Sequence, residues 1–210
     1  ILRGLVGSEM CIRDRALDCV RFLSNRSSGR MGVLLAQAAH LRGANVDLVH
    51  GPLQVPPSWL EGLQCHAVVG SAAMDDRIQQ LQPKADAVLM CAAVADLRRT
   101  SPINVEKLPK HQLIESLEAG WEPVPDLLHS LVSRRPAGQS VLGFAALTGT
   151  DEQLLELGRR KFQAKGCDLL MVNPVDRLGQ GLDSDQNAGW LLGPGAVSYT
   201  HLTLPTNVAV

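Results

Sequence analysis

The residues with most chemical potential sit in one short run, 20–32, which reads Val-Arg-Phe-Leu-Ser-Asn-Arg-Ser-Ser-Gly-Arg-Met-Gly. Ser24, Asn25, Arg26, Ser27 and Ser28 place hydroxyls, an amide and a guanidinium on a loop ending at Gly29, where a tight turn is easy. Beyond it Met31, Leu34, Leu35, Ala38 and Leu41 recur at helical spacing. Such a loop suits an anion, because the free N–H groups and the positive dipole end of the helix point the same way. The same residue types also cap helices, so this run alone leaves an anion site and an ordinary cap equally open. Lys161 and Lys165 lie four apart on one helix face and can reach a single anion, although a solvated surface has that spacing too.

Other chemistries are poorly represented. The five cysteines are scattered with no Cys-x-x-Cys, which reads as reduced, cytosolic thiols rather than a disulfide framework or zinc site. The six histidines show no metal-like pairing, and no metal-ligating residues are expected in the protein itself. A net charge of −1 gives no basic field for nucleic acid. No apolar run approaches the roughly 18 residues of a membrane span. Asp183-x-Asp185-x-Asn187 begins like a calcium loop, but Ala188 and Pro194 stand where Gly and Glu are required. Neither G-x-G-x-x-G nor G-x-x-x-x-G-K-[ST] is present, so an NAD(P)-binding module is open but carries no fingerprint.

The elements that position these residues alternate. Strands are expected at 45–50, 65–69, 86–91, 140–145 and 168–172, and helices from 31, at 71–81, at 126–132 and at 152–165. This is the pattern of an α/β, Rossmann-like parallel sheet with helices on both faces. Ligands of such sheets bind outside the carboxyl ends of the strands, which directs attention to loops 24–29, 92–110, 146–150 and 173–187. Residues 1–15 and 197–210 have no clear period and are similar to translated adapter sequence. Both are expected to be non-native tails outside a domain at 16–196, which would then lack its first strand and its C-terminal end.

Five stretches in register resemble phosphopantothenate–cysteine ligase, the C-terminal half of the bifunctional coenzyme A biosynthesis protein. They are the 20–32 run, Cys91-Ala-Ala-Val-Ala-Asp-Leu-Arg98, Glu106-Lys-Leu-Pro-Lys110, Gly143-Phe-Ala-Ala146 with Lys161-x-x-x-Lys165, and Gly181-x-x-Ser-Asp-x-Asn187. The resemblance implies a CTP-dependent ligase. The carboxylate of 4′-phosphopantothenate attacks the α-phosphate of CTP with Mg²⁺, and cysteine then attacks the acyl-cytidylate to give 4′-phosphopantothenoylcysteine. It implies catalytic roles for Asn25, Arg21 and Lys107, with Asn25 holding the acyl-cytidylate. It implies nucleotide contacts at Cys91, Ala92, Ala93, Asp96, Lys107, Val124, Pro125, Asp126, Leu127, Phe144, Lys161 and Lys165. Read on their own, Asn25 is also a cap or turn residue, Asp96 a turn residue, Phe144 a core residue and Cys91 part of a strand.

The resemblance further implies small-molecule substrates, a cytoplasmic homodimer, and fusion to a decarboxylase domain that would hold FMN outside this chain. Three positions depart from the family's pattern: Pro109 in place of a third flap lysine, Val124 in place of Asn, and Leu147 in place of Glu. The second functional class kept open is a non-catalytic or NAD(P)-binding Rossmann-like module.

Overall fold

The structure is a computed structural model and describes residues 2–8, 13–100, 106–180, 184 and 186–203. In chain order it runs β1 (Arg3–Ser8), α1 (Arg30–Leu41), β2 (Asn45–His50), β3 (Gln64–Ala67), α2 (Ser71–Leu81), β4 (Ala87–Met90) and β5 (Leu97–Arg99). It continues with α3 (Lys110–Glu118), β6 (Trp121–Pro123), α4 (Leu127–Ser133), β7 (Ser140–Leu147), α5 (Asp151–Lys165), β8 (Leu169–Pro174), β9 (Gln186–Gly193) and β10 (Ala196–Thr203). The main sheet has the order β10-β9-β8-β7-β4-β1-β2-β3, and β5 and β6 pair separately. Strands β3, β2, β1, β4, β7 and β8 are parallel, whereas β9 and β10 add on antiparallel.

Alternation of side chains through the parallel strands decides which helix covers which face. Leu5 and Val49 join Met74 and Ile78 of α2, Leu131 of α4 and Leu154 of α5 in one core. Their neighbours Val6, Leu48 and Val46 join Val33 and Ala36 of α1 in the other. The sheet is thus covered on both faces, as its near-continuous apolar strands require. The chain runs outward from β1 to β3 and then returns to β4, so the strand order reverses beside β1, where such folds open a crevice.

Two expectations are corrected here. Residues 3–8, expected to lie in a tail, form β1 between β2 and β4, in register from Arg3↔Asn45 to Ser8↔His50. Leu5 and Val6 are 1% and 0% exposed. Burying two such side chains is worth about 1.5–3 kcal/mol each. The first strand is therefore present. Arg3-Gly-Leu-Val-Gly-Ser8 has two glycines and its only large apolar side chains, Leu5 and Val6, are adjacent, so it shows no alternation of its own, and only the facing edges of β2 and β4 reveal its role. At the other end, residues 197–203, expected to lie in a tail, belong to β10, which pairs with β9 along its whole length. Residues 1, 9–12 and 204–210 lie outside the described residues.

Close approach replaces side-chain packing at one point of this edge. A Cβ on Gly189 of β9 would lie 2.1 Å from the carbonyl oxygen of Val172 on β8. Helix α3 and the antiparallel β5–β6 pair that brackets it arise within a stretch to which the sequence pattern assigns no element. Helix α3 buries none of its residues, so it carries no core-facing stripe to recognise.

Candidate functional site

A cleft of about 500 Å³ opens at the carboxyl ends of β4, β7 and β8, beside the N-terminus of α1. Segments far apart in sequence converge on it. The 24–29 loop contributes Asn25, Ser27, Ser28 and Gly29, and the exit of β4 contributes Cys91, Ala92, Ala93 and Asp96. Val124, Pro125, Asp126 and Leu127 enter from the turn before α4, Phe144 from β7, and Lys161 and Lys165 from α5. All the nucleotide contacts implied by the resemblance are therefore brought together, except Lys107.

The N-terminal wall is built on Gly29. It caps α1 with φ 78°, a left-handed conformation that side chains disfavour, and next to it Ser28 Oγ accepts from the Arg30 N–H at 3.5 Å. Gly29, and not Asn25, is therefore the cap of α1. The Asn25 amide is instead fixed by two neighbours of opposite character. Arg15 Nη1 donates to Asn25 Oδ1 at 2.9 Å, and Asn25 Nδ2 donates to the carbonyl oxygen of Ala93 at 3.0 Å. A guanidinium can only donate and a carbonyl only accept, so both partners dictate one orientation of the amide. Arg15 and its neighbour Asp14, whose carboxylate accepts from the Ser71 N–H at 2.7 Å, thus support the cleft and α2 rather than lie in a tail.

The opposite wall holds a charged pair. Asp126 caps α4 by accepting from the His129 N–H at 3.0 Å and also pairs with Lys165 of α5. Burial would raise the Asp126 carboxyl, but the hydrogen bond from Lys165 and that from the His129 N–H outweigh it and hold the group below its usual range. Cys91 behaves as a wall residue rather than a nucleophile. Burial pushes its thiol up to about 12, and its Sγ donates to the carbonyl oxygen of Gly7 at 3.3 Å. At the floor, Asn173 is 7% exposed and its Nδ2 donates to Asn187 Oδ1 at 3.1 Å. Sequence reasoning missed Asn173; its signal was a polar residue closing an otherwise apolar strand. Ser184 also reaches the cleft, while Gly181 and Asp185 of the same motif lie outside the described residues.

Arg21 and Lys107 do not line the cleft. Arg21 is held on the Asp18 carboxylate through Nε at 2.9 Å, and its Nη2 donates to the carbonyl oxygen of Leu108 at 2.7 Å. Lys107 is exposed beside that tether. Among the described residues no group of three or more His, Cys, Asp or Glu side chains could hold a metal ion. No helix there is long and apolar enough to cross a membrane.

The DNA/pantothenate metabolism flavoprotein C-terminal domain family matches residues 13–207. The chain belongs to this family. It is 37% identical over 190 residues to the coenzyme A biosynthesis bifunctional protein CoaBC of Mycobacterium bovis, covering 84% of this chain and 43% of that protein. The chain thus spans less than half the length of such relatives. Among solved structures it resembles the C-terminal domain of a CoaBC protein, with TM-score 0.71 and 25% identity over 98% of this chain and 87% of that one. A Cab2 variant solved in complex with phosphopantothenate-cysteine shares the fold, with TM-score 0.68 and 15% identity over 96% of this chain and 80% of that one.

Proposed function

We propose that this domain is a CTP-dependent ligase that joins 4′-phosphopantothenate to cysteine in coenzyme A biosynthesis. The observation that carries the reading is the convergence of five sequence-distant segments on one cleft, in a chain whose family relatives are named as coenzyme A biosynthesis proteins. The complex of the Cab2 variant with phosphopantothenate-cysteine agrees with it.

Each step asks for groups that the cleft contains. In the first, a carboxylate oxygen of 4′-phosphopantothenate bonds to the α-phosphorus of CTP as the bond to pyrophosphate breaks. Such a transfer depends on positioning and charge neutralisation more than on covalent help. The N-terminus of α1 and the Lys161 ammonium group supply positive potential, while Lys165 shares its charge with Asp126. Mg²⁺ would come with the triphosphate, since magnesium is commonly held by one or two carboxylates and the substrate's own phosphates. Asp96 is the carboxylate on this wall for that role, because Asp126 is engaged by Lys165. In the second step the cysteine amine attacks the acyl carbon, loses a proton, and expels CMP. Asn25 has its amide oxygen taken by Arg15, so the group left for the intermediate is the second N–H of Nδ2, a donor for a developing oxyanion.

Homodimer formation is part of the proposal. Val20, Phe22, Ile114 and Leu117 are exposed apolar side chains available to a second copy. A fused decarboxylase domain with FMN in the parent protein, and a cytoplasmic location, belong to the same proposal.

The deciding experiment supplies 4′-phosphopantothenate, cysteine and Mg²⁺ with either CTP or ATP, and follows pyrophosphate and 4′-phosphopantothenoylcysteine together. Product with CTP is expected. A thermal-shift panel separates the second class of reading: stabilisation by NADPH with none by CTP would replace the ligase by a dinucleotide-binding module.

A further inference from the structure

Asp18 has no role in the reading above, yet its side chain is fully buried, at 0% exposure. Its two oxygens do different work. Oδ1 accepts from the Val20 and Arg21 N–H groups at 2.9 and 2.8 Å, which closes the local turn. Oδ2 reaches across the fold. It accepts from Arg21 Nε at 2.9 Å and from the Leu108 N–H at 3.1 Å, a partner 90 residues away. Arg21 Nη2 then returns to the Leu108 carbonyl oxygen at 2.7 Å. Both backbone groups of Leu108 are therefore held by one ion pair, whose carboxylate is buried and whose guanidinium is half-buried.

What Leu108 carries makes this more than a turn. Lys107 precedes it, Pro109 follows it as the N-cap of α3, and Lys110 is the first residue of that helix. Helix α3 buries none of its residues, so apolar packing does little to fix where it begins. We propose that Asp18 is a positioning residue for the lysine-bearing segment 106–110, acting through Arg21 and the backbone of Leu108. The turnover consequence rests on the ligase reading; the clamp does not. Arg21, expected to be catalytic, serves here as the second half of that clamp.

The test compares wild type, Asp18→Asn and Arg21→Lys by limited proteolysis with a lysine-specific protease under native conditions. Cleavage after Lys107 should rise at least about tenfold in Asp18→Asn, while cleavage after Lys84, Lys161 and Lys165 stays near wild type, because only local opening is released. Arg21→Lys keeps a positive charge on Asp18 but loses the fork to Leu108, so it should fall between the two and carries the test if Asp18→Asn does not fold. A uniform rise at all lysines, or none at Lys107, overturns the clamp. In turnover, Asp18→Asn should raise KM for CTP more than it lowers kcat, and Lys107→Ala should add little in the Asp18→Asn background. Full additivity would overturn the action through Lys107. A selective rise after Lys107 in Asp18→Asn, together with a wild-type chain that makes no product from CTP, would uphold the clamp and sink the ligase reading.

Discussion

Asn25→Asp separates the local structural role of Asn25 from its proposed chemistry. In the structure Nδ2 donates to the Ala93 carbonyl at 3.0 Å, and the substitution puts a carboxylate oxygen in its place. One hydrogen bond is lost and two acceptors face each other, which costs about 1–3 kcal/mol. The bond from Arg15 to the remaining oxygen becomes charge-assisted and returns about 1 kcal/mol. Helix α1 is untouched, because its cap is Gly29. The net destabilisation of at most about 2 kcal/mol corresponds to a melting temperature lower by no more than about 8 °C in a chain of this size. Catalysis should suffer far more. Removing one preorganised donor from an oxyanion costs about 10²–10³ in rate, and the new negative charge opposes a bound phosphoanhydride. The donor is most needed once the acyl-cytidylate exists, so pyrophosphate release should fall less than amide formation. Both products are measured in one reaction, per mole of folded protein. Wild-type rates of amide formation in folded Asn25→Asp would refute the role assigned to the amide.

Deleting residues 1–8 removes a strand from the middle of the sheet and should abolish cooperative unfolding, as followed by circular dichroism during urea titration. A chain that still unfolds cooperatively without them would show that β1 is dispensable. Gly189→Ala drives a methyl group against the Val172 carbonyl and should cost about 3 kcal/mol or more, because backbone rather than a flexible side chain must move. Stability should also depend on Asp18. The Arg21 guanidinium and three backbone N–H groups hold its carboxyl well below the ordinary carboxylate range, against the opposing effect of burial. Its contribution is fully present above the unfolded pKa of about 3.9 and is lost as the pH falls below it. Urea midpoints from pH 7 downward should show an acid loss in wild type that is smaller in Asp18→Asn.

Residue order alone determined the parallel core and most of the cleft. β2 and α2 fall where their periodicity puts them, at Asn45–His50 and Ser71–Leu81, because each is long enough to display its period. The Asn25 loop and the two α5 lysines were legible as candidates because chemical types and spacing are local properties, whereas Ala92 and Ala93 entered only through the family resemblance. Tertiary structure decided what depends on distant partners. β1 is a strand because two edges wait for it. Arg21 turns away from the cleft because Asp18 binds it, and the orientation of the Asn25 amide is set by Arg15 and Ala93. A hydrogen bond to Leu108 across 90 residues leaves no mark on the local pattern around Asp18, since a buried carboxylate and a turn-forming one look the same until the fold brings their partners to them.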